Sequence, residues 1–466
     1  MPMTGPFTST DAIRSAFSAA MSAMYRAEVP AYGTLMELVA SVNVEALDAD
    51  PALRDALTET DTLDRISEER HGAIRLGTPA ELAMMRRVFA VMGMFPVGYY
   101  DLSTAGVPVH STAFRPVGDA ALKKNPFRVF TSLLRLDLIG DEALRSEAEA
   151  TLARRAIFTP EAIALTEKAE RQGGLDAADA ERFIAAVLET FRWHDRANVS
   201  ADMYHRLHDA HRLVADVVSF RGPHINHLTP RTLDIDLVQA RMPDHGIAPK
   251  AVIEGPPTRK CPILLRQTSF KALEEPVSFL GPDGNWQEGS HTARFGEIEQ
   301  RGIALTPRGR ALYDELLNAS RAVVRPAADG SNAREYGAAL AEAFVPFPDS
   351  WAEIRSAGLG YFTYSLTEKG RKTRAPATAS VDTLIEAGLV RFDPIVYEDF
   401  LPVSAAGIFQ SNLGDDAAHE FVANPNQQRF ERDLGAKVLD EFDDYAAIEA
   451  ASVAAARAAL GVARAA

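Results

Sequence analysis

Apolar residues recur at three- and four-residue spacing from Ile13 through Phe17, Met21 and Met24, behind cap oxygens on Thr10 and Asp11, so residues 1–46 read as helix. Pro30 should end or kink that run. The period changes in RHGAIRLGT, where alternation and two glycines after an acidic turn predict a short strand between Arg70 and Thr78. Pro79 then opens a second helix carrying Leu82, Met85, Val88, Phe89 and Met92 on one face. VGYYDLSTAGVPVHSTAFRP has the aromatic, β-branched and turn-residue mixture of paired strands.

From Val117 to Val218 the spacing of Leu, Ile, Phe and Ala is helical, interrupted at the glycine pair within Gln172 to Leu175. Strand character returns in FRGPHINHLTPRTLDID, AVIEGPP, CPILLRQTSF and GSHTARFGEIEQRG, and stops near Gly302. KTRAPATAS, near Lys372, reads as a linker or surface loop, and the alanine-rich stretch from Ala446 onward as a terminal helix. These patterns give an α+β protein in four parts. They are an N-terminal helix with a first α+β module (1–116), a helical insertion (117–218), a second β module (219–305) and a mixed C-terminal region (306–466).

Composition narrows the partners. A hydrophobic content of 47% supports a large core, and 49 Lys plus Arg against 64 Asp plus Glu, a net charge of −15, argues against nucleic acid. No segment has the length and apolarity of a membrane span, and the N-terminus lacks the features of a secretory signal, so no membrane partner is expected. The single cysteine, Cys261, excludes an intramolecular disulfide framework and fits a reducing compartment, with the cytoplasm as the expected location.

Three strand-like segments each carry one strong metal-ligand type: His71 in RHGAIRLG, His227 in PHINHLTPR and Glu297 in RFGEIEQRG. Two imidazoles and one carboxylate on different strands can form a facial triad, with up to three adjacent positions open on an octahedral Fe(II). In an extended segment His71, Ala73 and Arg75 share a face. Arg75 lies about 13 Å of strand beyond the histidine, at about 3.3 Å per residue, so a guanidinium leaning back could meet the far end of a small dicarboxylate. The plainer reading pairs Arg75 with Glu68 or Glu69. Glu297 and Glu299 also share a face, and the residues alone do not choose the ligand. The second could orient a histidine or pair with Arg294 or Arg301. His224 should point away from His227 and serve structure. Arg266, Gln267 and Ser269 are candidate polar contacts by strand alternation.

A rival cluster, His205, His208 and His211 in MYHRLHDAHRL, is rotated too far around a helix to converge and reads as a solvated face. Cys261 before an apolar run reads as packing. Phosphate loops, HExxH and GxSxG motifs are missing from the sequence.

The three ligand segments, with GMFPVGYYDLSTAGVPVHSTAFRP, FRVFTSLLRL, EGPPTRKCPILLRQTSFKAL and VYEDFLPVSAAGIFQSNLG, closely resemble the bacterial 2-oxoadipate dioxygenase/decarboxylase family, also called D-2-hydroxyglutarate synthase. The resemblance spans nearly the whole chain. It implies a vicinal-oxygen-chelate fold, an open β-barrel of paired βαβββ modules, around Fe(II). It implies conversion of 2-oxoadipate and O2 to (R)-2-hydroxyglutarate and CO2 in lysine catabolism. The family's metal ligands fall on His71, His227 and Glu297, and its substrate contacts on Arg75 and on Val403, beside Ser404. Two alternatives stand beside this one: a metal-dependent isomerase or lyase acting on a small oxo acid without O2, and a non-enzymatic metal-binding protein. Oligomeric state is not legible.

Overall fold

The computed structural model describes residues 7–60, 63–281, 283–327, 330–375, 379–401 and 426–461. Its N-terminal run is two helices, α1 (Thr10–Glu28) and α2 (Pro30–Ala49), because Pro30 occupies the first turn of the second, where its missing N–H costs nothing. Ser9, one residue before the expected caps, accepts from the backbone N–H of Ala12 at 3.2 Å. Ile13, Phe17, Met21 and Met24 are buried, as their spacing requires.

The main sheet has five strands in the order β2 (Phe95–Asp101), β3 (Val109–Arg115), β4 (Arg128–Leu134), β1 (Glu69–Leu76) and β5 (Leu228–Pro230). Between β1 and β2 runs the helix Pro79–Val91, closed at its start by a reciprocal capping box of Thr78 and Glu81. Strand β1 lies parallel to β4 and antiparallel to β5. β4 falls inside the stretch whose spacing predicts helix. RVFTSLL is buried on both faces, so its apolar run carries no alternation to separate it from a buried helix. The rest of that stretch is helical, including Pro160–Gln172, which ends where Gly173 adopts φ 84°. The segment around His227 is less regular than expected. Its strand is Leu228–Pro230, and its last two residues begin the helix Ile235–Arg241.

A second ladder pairs β6 (Leu265–Ser269) with β9 (Glu297–Arg301), and a hairpin of β7 (Glu274–Leu280) and β8 (Trp286–Thr292) projects between them in sequence. A parallel bridge from Arg231 to Glu299, with Thr232 N–H donating to Glu299 O at 2.8 Å, joins the end of β5 to β9. The two ladders therefore meet along β5. Residues directly opposite share a face, so His71, Arg75, Arg128 and Ser132 look inward from the main sheet, and Gln267, Ser269, Glu297 and Glu299 from the other ladder. The other side of the main sheet, with Ile74, Leu76, Phe114, Val129 and Leu133, packs on α1 and α2 in one large core. A third ladder, β10 (Phe362–Leu366) with β11 (Val390–Pro394), carries the terminal helix Glu441–Ala459, which buries Tyr445, Ile448 and Ala456. Among the described residues no helix is long and apolar enough to cross a membrane, and the sheets do not close into a barrel.

Candidate metal centre

Gly72 is what lets the first histidine approach the second. A Cβ there would meet Ile225 Cδ1 at 2.6 Å, Leu228 Cδ2 at 2.9 Å and the backbone oxygen of His227 at 3.0 Å, so a side chain would force the His227 segment away from β1. With that approach made, His71, His227 and Glu297 each bring a donor atom to one place, all within 4.8 Å of one another and all buried. Among the described residues they are the one such group. Glu297 Oε2 lies 3.0 Å from His71 Nε2 and 3.5 Å from His227 Nε2. Donors about 2.1 Å from a shared ion and at right angles to one another stand about 3 Å apart, so these edges suit adjacent positions on one divalent cation.

Each ligand is prepared by its surroundings. Among the described residues His227 has no hydrogen-bond partner at either ring nitrogen. Burial pushes its imidazole down to about 3, which leaves a lone pair for a metal. Its ring stacks on Phe295, centroids 4.6 Å apart. Burial would raise the Glu297 carboxyl, but His227 and His71 outweigh it and hold the group below its ordinary range. Thr229 Oγ1 donates to the same Oε2 at 3.0 Å. His71 turns Nε2 toward Glu297 and Nδ1 toward Glu299, whose Oε2 is 3.0 Å away. Glu299 is in turn held by Arg301 Nη2 at 2.6 Å and Arg128 Nη1 at 3.4 Å, and these charges overcome its burial and keep it well below the usual carboxylate range. Of the two roles left open for Glu299, the pairing with Arg301 is made, and the same oxygen stands 3.0 Å from His71 Nδ1. Behind it Arg128 and Arg65 share Glu398.

Arg75 emerges from β1 on the same face as His71 and meets an acidic partner from outside its own segment. Its Nη1 donates to Asp216 Oδ2 at 2.6 Å, and Glu68 accepts from Asn125 at 3.3 Å. The structure does not bring Arg266 to the triad. It stands opposite Gln300 and donates to Asp236 at 2.7 and 2.9 Å, on the other face of β6 from Gln267 and Ser269. Strict alternation along RQTS carries that signal, since Arg266 is one residue out of phase with Ser269. Val403 and Ser404 lie outside the described residues. His224 is not on a strand. It has φ 26°, and its Nε2 lies 3.3 Å from Asp216 Oδ1. The rival histidines stay apart: His205 is exposed, and His211 caps the next helix by accepting from Leu213 N–H at 3.1 Å. Cys261 is buried, with its thiol pushed up to about 11 by burial. Thr229, Arg128 and Asp216 are supporting residues that sequence reasoning misses. Thr229 lies in PHINHLTPR and Arg128 in FRVFTSLLRL, where strand pairing places them, and Asp216 lies in the helix Arg212–Ser219, outside any motif.

Fold and site together define an α+β protein with a two-histidine, one-carboxylate group arranged for a single metal ion. Residues 17–412 match the family described as 2-oxoadipate dioxygenase/decarboxylase, and the chain belongs to that family. It is 58% identical over 460 residues to the 2-oxoadipate dioxygenase/decarboxylase of Pseudomonas putida, covering 98% of each. It is 57% identical over 437 residues to that of Escherichia coli, 93% of this chain and 95% of the relative. Among solved structures, the hydroxyglutarate synthase of Pseudomonas putida in complex with 2-oxoadipate superposes with a TM-score of 0.92 at 56% identity, over 98% of this chain and all of that one.

Proposed function

We propose that this chain is an Fe(II)-dependent dioxygenase that decarboxylates 2-oxoadipate, forming (R)-2-hydroxyglutarate and CO2 in lysine catabolism in the cytoplasm. The observation that carries the reading is the convergence of His71, His227 and Glu297 in a chain of the 2-oxoadipate dioxygenase/decarboxylase family. His71, His227 and Glu297 would hold the iron, which when bound would supply the chemistry of engaging a 2-oxo acid and O2. In the overall change the bond between C1 and C2 breaks and C1 leaves as CO2. One oxygen atom enters the new carboxylate and the other the 2-hydroxyl, so the substrate supplies all the electrons and no second co-substrate is needed.

The protein's part is placement. Glu299 fixes the ring and tautomer of His71. Phe295 and Phe400 pack against His227 and His71, the latter at 4.8 Å between ring centroids, and keep bulk water from the centre. Arg75 takes the far carboxylate of the substrate, which fixes the end that chelates and the face of the carbon that is hydroxylated. Val403, with Ser404 next to it in sequence, supplies the other substrate contact that the resemblance implies. The order β1, helix, β2, β3, β4, followed by β5, helix, β6 and β9, supports paired modules of the vicinal-oxygen-chelate kind.

The test is oxygen uptake and CO2 release by Fe(II)-loaded protein given 2-oxoadipate. One molecule of CO2 per O2 consumed is expected, with none when O2 is withheld. Turnover without O2 would replace this reading with a lyase or isomerase.

A further inference from the structure

Arg75 is backed by a buried polar chain that takes no part in binding a metal. Asp216, on the helix Arg212–Ser219, receives groups from three separate parts of the chain. Arg75 Nη1 reaches Oδ2 at 2.6 Å, while His291 Nε2 from β8 and His224 Nε2 lie 2.9 and 3.3 Å from Oδ1. The second nitrogen of His291 is 2.8 Å from the hydroxyl of Tyr204. With Tyr204 donating to Nδ1, the His291 proton sits on Nε2 and is donated to Asp216, so the carboxylate accepts from the imidazole on one oxygen and from the guanidinium on the other. Trp193 lies alongside, its ring 4.8 Å from that of His224 and 6.3 Å from that of His291. Asp216, His291, His224 and Tyr204 are all at least nine-tenths buried.

Burying a carboxylate and a guanidinium is costly unless the remaining donors and acceptors are satisfied, so a bare ion pair would be a poor way to anchor β1. A carboxylate that is itself held by His291 does something a bare pair cannot: it stays in place, and so gives a flexible guanidinium a fixed point to point at. We propose that Asp216, with His291 and Tyr204 behind it, positions the Arg75 fork and so sets the preference for 2-oxo acids that bear a second carboxylate. The inference rests on the role given to Arg75 above.

The test compares 2-oxoadipate with 2-oxohexanoate, the monocarboxylic 2-oxo acid of the same chain length, on full-length Fe(II)-loaded enzyme. Asp216→Asn keeps the shape and removes the charge. It is expected to raise KM for 2-oxoadipate about tenfold, change kcat by less than about threefold and lower the diacid-to-monoacid ratio of kcat/KM by about tenfold. Tyr204→Phe, which leaves the ion pair intact, is expected to move the ratio the same way by about two- to threefold, and it carries the test if Asp216→Asn does not fold. Asp216→Glu should recover part of the ratio. Equal losses on both substrates, or an unchanged ratio in folded Asp216→Asn and Tyr204→Phe, overturn the inference. Arg75→Met separates the two levels. If it collapses the ratio while the Asp216 and Tyr204 variants do not, only the positioning role falls. If it leaves the ratio unchanged, the Arg75 reading falls and the inference with it.

Discussion

His71 works through both of its ring nitrogens, one facing the ligand carboxylate and the other facing Glu299. A carboxylate on the far nitrogen holds the proton there and raises the basicity of the near one. Glu299→Gln should therefore weaken Fe(II) binding by about 10- to 100-fold while leaving the secondary structure intact, as read by metal titration and circular dichroism. Wild-type affinity in that variant would remove Glu299 from the site. A second residue-scale prediction concerns acid. Burial holds His110 down to about 4, its ring packed 4.8 Å from that of Phe430, and His227 down to about 3. Between the ordinary imidazole value of about 6.5 and these depressed values the unfolded chain binds protons that the folded chain refuses, so stability falls as pH falls through that window. Urea unfolding of the metal-free protein should show it, and His110→Phe should flatten the slope. A variant as acid-sensitive as the wild type would show that His110 is not among the groups responsible. At this scale His71, His227 and Glu297 are legible as candidates because each stands in a short β-like segment, while the choice of Glu297 over Glu299 comes from the family resemblance. Asp216 is not, because a lone Asp in the helical run LVADVVS gives no sign of the three groups that the fold gathers around it.

Elements decide whether these residues can meet. Helices α1, α2 and Pro79–Val91 follow directly from apolar spacing and caps, since each buries one stripe against the sheet. Strand β4 is the opposite case: buried on both faces, with Arg128, Thr131 and Ser132 buried among its apolar residues, it shows no regular alternation, and period analysis folds it into the helices that follow. The short β5 is equally hard to read, because its place is set by pairing to β1 and bridging to β9 rather than by its own three residues. Gly72 is where that pairing is tightest. Gly72→Ala places a methyl against Ile225, Leu228 and the His227 carbonyl, and an overpacked position of this kind should cost about 1–3 kcal/mol. The same change should displace His227 and weaken metal binding. Urea denaturation and Fe(II) titration together check both effects, and a fully stable variant with normal metal affinity would show that the close approach is not needed.

Across the whole molecule the centre belongs to no single segment. β1, the turn into β5 and β9 each supply one ligand, and Phe400, far along the chain, packs against His71. The sequence conveys this as three isolated motifs. Their convergence depends on two ladders meeting along β5, a long-range arrangement that local patterns do not encode. The geometry gathers three residues that could hold one metal ion, so the central claim is that one ion sits among them. Anomalous diffraction at the iron edge from Fe(II)-loaded crystals measures this directly. One peak is predicted at about 2.0–2.2 Å from His71 Nε2, His227 Nε2 and a Glu297 carboxylate oxygen. Iron bound elsewhere, or a peak that leaves any of the three beyond bonding distance, would contradict the account.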